Sequence, residues 1–163
     1  MDYIEFLHSL NNQLNDCFQL HKNYIQCEAG CSSCCENGDY PISQIEFDYL
    51  AKGYINLDNS KKIMVQENIK NMKRGACCPF LIDKKCSIYD YRPIICRVHG
   101  LAYLIDNDVV KVPYCVNEGK NYSKVYENGT ININPINRNL DTLSILKNFD
   151  YGEYKNLYDW FKQ

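Results

Sequence analysis

Cys31, Cys34 and Cys35, with Cys27 four residues ahead of the first, place four thiols within nine residues of chain. Thiolate sulfur is a soft donor, and a loop this rich in it suits a soft metal ion or an iron–sulfur cluster. Cys31 and Cys34 have the C-x2-C spacing of a metal knuckle, in which the intervening amides point back at the sulfurs and offset their charge. Cys35 cannot easily aim at the same point as Cys34, because neighbouring Cβ vectors diverge in most backbones. Either the backbone is specially bent there, or two centres share the loop. Further sulfurs must come from later in the chain, where Cys77, Cys78, Cys86, Cys96 and Cys115 follow at intervals and then stop. The candidate ligands are Cys27, Cys31, Cys34, Cys35, Cys78, Cys86, Cys96 and Cys115. Eight sulfurs would serve two four-sulfur sites, or one site with spare thiols.

Other readings of these residues are weaker. One or two cysteines commonly act as small buried hydrophobes, but eight over this short stretch do not suit that role. A nucleophilic cysteine would want one activated thiol beside a histidine, and although Cys96 lies three residues from His99, the other sulfurs would have no purpose. His99 itself suits a nitrogen ligand or outer donor as well as it suits a plain surface residue. Zinc sites favour two paired knuckles, yet beyond the first loop the only close pair is Cys77-Cys78. Scattered single cysteines favour an iron–sulfur cluster over zinc, though without the dense run of the ferredoxins.

The totals narrow the setting. A chain of 163 residues should bury roughly 70% of its unfolded surface, so it does not need a metal merely to make a core. Net charge of -2 and a pI near 5.9, with no basic run, leave no electrostatic footprint for nucleic acid. A disulfide framework would need export, and Met1-Asp2-Tyr3-Ile4-Glu5 has no basic residue ahead of its apolar positions, unlike a signal peptide. No apolar run approaches the roughly 18 residues of a membrane span. The expected setting is the cytoplasm, with thiols reduced. The Asn-x-Ser/Thr triplets at Asn121 and Asn128 then follow from an asparagine-rich composition.

The elements that must position the sulfurs are legible in part. Tyr3, Leu7, Leu10, Leu14, Cys17, His21 and Tyr24 form the seam of an amphipathic helix over residues 2–26, which delivers the chain into the cysteine loop. Cys17 and His21 on that seam read as packing residues rather than ligands. Ser43 and Glu46 form a capping box, with Ile42 and Phe47 as its hydrophobic staple, so a helix starts at Ser43 and is expected to end near Lys52 at Gly53. Asp58 or Ser60 caps a second helix that carries Val65, Ile69 and Met72 and stops at Gly75. Short apolar runs flank Asp83-Lys84-Lys85 as a small hairpin or a pair of extended arms, and others flank Asp106-Asn107-Asp108 as a clearer hairpin, with a short helix after Pro93 between them. Residues 117–139 read as loop with one short helix, and Leu140 to Phe161 as helix interrupted near Asp150-Tyr151-Gly152.

With these residues in view the chain resembles the CxxCxxCC (YkgJ-like) family of proposed zinc- or iron-chelating proteins. The matching segments are Cys27 to Cys35, Cys78-Pro79-Phe80-Leu81, Cys86-Ser87-Ile88-Tyr89 and Arg92-Pro93-Ile94-Ile95-Cys96-Arg97. The resemblance implies that Cys78 rather than Cys77 is the ligand, because the family places Pro-Phe-Leu after one cysteine. One departure is that Cys27 stands four positions before Cys31, where the family's spacing is three. Some longer relatives resemble lysine N-methylases acting on flagellin, but no Gly-rich methyl-donor loop is present in this chain. Arg92 and Arg97 suit an outer role, offsetting the negative charge that a thiolate site keeps even with its metal. They could equally pair with Asp83, Asp90 or Glu36.

The expectation is therefore a mainly helical α+β fold with small β-hairpins, in one cysteine-rich metal-binding domain over residues 1–163. Within it, residues 1–26 form the N-terminal helix, 27–115 the cysteine-cluster region, and 116–163 the C-terminal loop and helices. The expected function is a cytoplasmic protein holding an iron–sulfur cluster, or zinc, through clustered cysteines. A metal-dependent protein-modifying enzyme and a zinc-stabilised interaction module are the alternatives, and no residue is assigned a catalytic role. Besides the metal, a protein substrate or partner is conceivable, as is a homodimer through the exposed part of the first helix's seam.

Overall fold

The computed structural model describes residues 2–28, 30–105, 109–131, 133 and 150–162. The fold is mixed α+β and mainly helical, with strands only in two-stranded antiparallel pairs among the described residues. It divides into two compact units, one formed by Met1–Cys27 with Val98–Phe149 and the other by Glu28–Arg97 with Asp150–Gln163.

In the first unit the N-terminal helix spans Tyr3–Leu20. Its start is a capping box: Asp2 accepts from the Glu5 amide, and the Glu5 carboxylate accepts from the Asp2 amide. Tyr3, Phe6, Leu7, Leu10, Leu14 and Cys17 are buried along one face. Burial of this stripe, at roughly 1.5–3 kcal/mol per large apolar side chain, is what sustains a helix that would be marginal alone. The helix ends earlier than residue 26, because the following segment finds other partners. The Tyr24 carbonyl accepts from the Tyr122 amide at 2.8 Å, the Gln26 amide donates to Asn121 Oδ1 at 2.8 Å, and buried His21 bonds the Tyr122 hydroxyl through Nδ1 at 2.8 Å. The chain leaves the helix to line up beside Asn121 and Tyr122.

The rest of this unit contains the pair Tyr103–Ile105 with Val109–Lys111, as the hairpin reading requires. A second hairpin, Tyr126–Glu127 with Thr130–Ile131, falls where loop is expected. Its turn is Asn128-Gly129, both at positive φ, which is the strongest short-range hairpin signal there is. Ala102, Val116, Tyr122 and Ile131 form the core beneath it.

The second unit is organised by Ser43. Pro41–Ser43 is a strand, and the helix Gln44–Ile55 begins on the Ser43 cap with the expected Glu46 box. The helix runs past Gly53, contrary to the expected stop. Gly53 is buried in its last turns, and a Cβ there would stand 2.7 Å from the Tyr91 Cβ, so this glycine answers to packing rather than termination. The helix Asn59–Asn71 is capped by Asp58, and Gly75 beyond it has φ +71°. Leu81–Ile82 pairs with Lys85–Cys86 through Asp83 and Lys84, both left-handed, a tight turn that reverses the chain within two residues.

The described part of the C-terminal segment differs from the expected helix beyond the interruption at Asp150-Tyr151-Gly152. Tyr154–Asn156 is a strand paired with Pro41–Ser43, and among the described residues of this segment only Leu157–Phe161 is helical, while residues 140–149 lie outside those described. Trp160 stacks on Phe47 at 5.0 Å and donates its indole N–H to the Ile42 carbonyl. Ile42, Leu50, Val65, Met72, Phe80, Ile88, Leu157 and Trp160 make the core, against which Cys78 and Cys86 pack.

Candidate metal centre

The cysteine loop forms a single helical turn, Ser33–Glu36, which puts Cys34 and Cys35 side by side on one bent segment. Ser32 closes it, its carbonyl accepting from the Cys35 and Glu36 amides and its hydroxyl donating to Glu36 at 2.6 Å. The Tyr40 hydroxyl donates to the Cys34 carbonyl. The Cys78 segment is joined directly to this turn, its amide donating to the Cys35 carbonyl at 2.8 Å. Gly38 permits that approach, since a Cβ there would fall 2.6 Å from the Cys78 Cβ. From Cys78 the tight hairpin returns the chain, and Cys86 faces Leu81 in its register. Cys96 sits on the short helix Ile94–Val98.

These five sulfurs form one electrostatic group. The Cys35 thiol donates to Cys34, and this bond brings Cys34 down to about 6 while Cys35 is held protonated. The pair therefore gives up its first proton readily and its second with difficulty. Burial pushes Cys78 up to about 12 and raises Cys86 and Cys96, and each of them is raised further by charge on its neighbours, Cys34 among them. Arg92 opposes this, favouring the thiolates of Cys34, Cys86 and Cys96. Its guanidinium lies 3.4 Å over the Tyr89 ring, with Nε donating to the Tyr89 carbonyl. Arg97 acts on the main chain instead. It is buried and donates to the carbonyls of Arg92 and Asp90, bracing the loop that carries Arg92.

The other candidates stand elsewhere. Cys31 is exposed at the entry to the turn. Cys27 and Cys115 belong to the first unit, Cys115 buried on the turn Tyr114–Glu118. Cys27 Sγ accepts from the Asn121 amide at 3.0 Å, and Gly100 leaves it room, since a Cβ there would fall 2.7 Å from the sulfur. Asn121 was invisible as a site residue, because nothing local links it to a cysteine far earlier in the chain. Cys17 is buried on its helix, and Cys77 is exposed. His99 is half-buried with its ring 6.5 Å from Tyr114, and burial lowers its pKa.

Among the described residues no three His, Cys, Asp or Glu side chains already stand at the mutual distances of a finished metal shell. The donor set fits a thiophilic ion in kind: partly dehydrated sulfurs, mutually repelling once ionised, beside one guanidinium. A cysteine sulfur is re-aimed by rotation about χ1 alone, between staggered wells. Cys78 and Cys86 packed against an apolar core on a mainly helical α+β frame define the class, a cysteine-rich α+β protein. The chain belongs to the CxxCxxCC family, described as a "Putative zinc- or iron-chelating domain", whose model matches residues 26–117, more than half of the chain. Comparison with curated proteins and with solved structures gives no match.

Proposed function

We propose that Cys34, Cys35, Cys78, Cys86 and Cys96 hold the metal centre, and that it is an iron–sulfur cluster in preference to a lone zinc ion. The observation that carries this reading is geometric: the Cys78 amide donates to the Cys35 carbonyl at 2.8 Å, which sets the Cys34-Cys35 turn against the segment that leads through the hairpin to Cys86, and charge on Cys34 raises Cys78, Cys86 and Cys96. Beyond the first loop the sulfurs come from scattered cysteines with no second C-x2-C knuckle, which favours a cluster over zinc. When bound, the metal would supply the positive charge that turns buried thiols into thiolates. The protein's own part is to keep the sulfurs dry against the core and to offset residual charge with Arg92. Cys31, exposed at the entry to the same turn, is available for further ligation. We propose the cytoplasm as the setting, since reduced thiols persist in such a compartment. No helix among the described residues is long and apolar enough to cross a membrane.

The test is metal and sulfide analysis of protein purified without oxygen. Brown protein with iron and acid-labile sulfide is expected, and Cys34→Ser should lose it while Cys17→Ser retains it. Colourless protein with stoichiometric zinc would replace the cluster by zinc. Equal metal content in both variants would sink the ligand assignment.

A further inference from the structure

Glu46 is used twice. As the third residue of its helix it completes the capping box, its Oε2 accepting from the Ser43 amide at 2.8 Å and the Ser43 hydroxyl at 2.6 Å. Capping needs one carboxyl oxygen and normally leaves the side chain at the surface. Here the residue is only 4% exposed, and its other oxygen, Oε1, accepts from the Ile94 amide at 2.8 Å. Ile94 is the first residue of the five-residue helix that carries Cys96. So short a helix cannot hold its own orientation and takes it from whatever grips its ends. Arg97 grips it from within the same loop, through Arg92 and Asp90. Glu46 grips it from outside that loop, from the corner at Ser43, which ends the three-residue strand that follows the Tyr40 holding the Cys34 carbonyl.

We propose that Glu46 is a positioning residue of the metal centre, fixing the Cys96 helix relative to the Cys34-Cys35 turn through the Ile94 amide. The inference rests on the reading that these cysteines bind metal. It adds to that reading a residue that touches no sulfur and sets the aim of one. A neutral amide in its place cannot serve both ends, because a glutamine would turn N–H groups towards Ser43 or towards Ile94, each of which already presents an N–H.

The experiment uses the full chain, with zinc affinity measured by chelator competition and thiolate count by the charge-transfer absorption of the cobalt(II) form. Glu46→Gln should keep its far-UV circular dichroism, bind zinc about ten-fold or more weakly, and show weaker cobalt–thiolate absorption than the parent protein. Ile94→Pro removes the amide donor at a position where proline is tolerated, leaves the capping box intact, and should reproduce both metal effects. Asp58→Ala removes the cap of the neighbouring helix, and should lower stability with both metal readouts unchanged. Parent-like affinity and absorption in Glu46→Gln or in Ile94→Pro would overturn the proposal, as would equal metal loss in Asp58→Ala, which would reduce Glu46 to general stability. A parent protein that takes up no zinc, cobalt or iron would instead remove the metal-binding reading itself.

Discussion

Adjacent cysteines on one helical turn behave as a pair rather than as two residues. The Cys35 thiol donates to Cys34, so the first ionisation comes at about 6 and the proton that remains is held on Cys35. The sign for Cys34 follows: its thiolate form persists above about 6, and the stability it contributes is lost as pH falls through that value. Buried Cys78 runs the other way, contributing below the ordinary thiol value and losing that contribution as pH rises towards about 12. In reduced, metal-free protein at about pH 6.5, iodoacetamide should therefore modify Cys34 well before Cys78 or Cys96, with the Cys34 rate half-maximal near 6. Timed quenching and peptide mass spectrometry read this directly. A Cys34 rate that rises only above about pH 8, near the value of an ordinary thiol, would show that the pair does not share its proton in this way.

At the scale of elements, close approach decides where glycine sits. In an ordinary helix interior Gly→Ala stabilises by about 0.5–1 kcal/mol. At Gly53 the added Cβ would meet Tyr91 Cβ and Cγ at 2.7 Å, next to the chain that leads into Arg92. Gly53→Ala should therefore destabilise, by about 1–3 kcal/mol, as overpacking does. The urea midpoint measures it, and a gain in stability would show that the Tyr91 contact yields freely. The same principle, applied at Gly38, brings the two cysteine segments to within one main-chain hydrogen bond of each other.

For the molecule as a whole, the thiol-bearing unit is completed from the far end of the chain, beyond the family match at residue 117. Tyr154–Asn156 pairs with Pro41–Ser43, the Leu157 amide donates to the Tyr40 carbonyl, and the Tyr158 amide donates to Asp39. Arg74 pairs with Asp159 and lies 5.0 Å over the Tyr158 ring. Trp160 fills the core under the Ser43 corner. Trp160→Ala should cost about 3–5 kcal/mol in denaturant unfolding, and metal content should fall with it, because the Cys34 turn and the Cys96 helix are both anchored to that corner. A loss below about 1 kcal/mol with full metal content would show that the C-terminal segment is an accessory to the site.

The residue sequence by itself determined the local features. Ser43 with Glu46 marked a helix start, Asp58 or Ser60 a second, and Asp83-Lys84-Lys85 a break between two short extended runs, because caps and turns are satisfied within a few residues of themselves. The sulfur-rich composition determined the chemistry for the same reason, since softness belongs to the side chain alone. Which thiols gather, that Glu46 reaches Ile94, that Asn121 reaches Cys27 and that the last strand joins the Ser43 corner were decided only by tertiary structure. These are contacts between residues remote in the chain. Neither propensity nor spacing encodes such a contact until burial of the common core has brought the segments together.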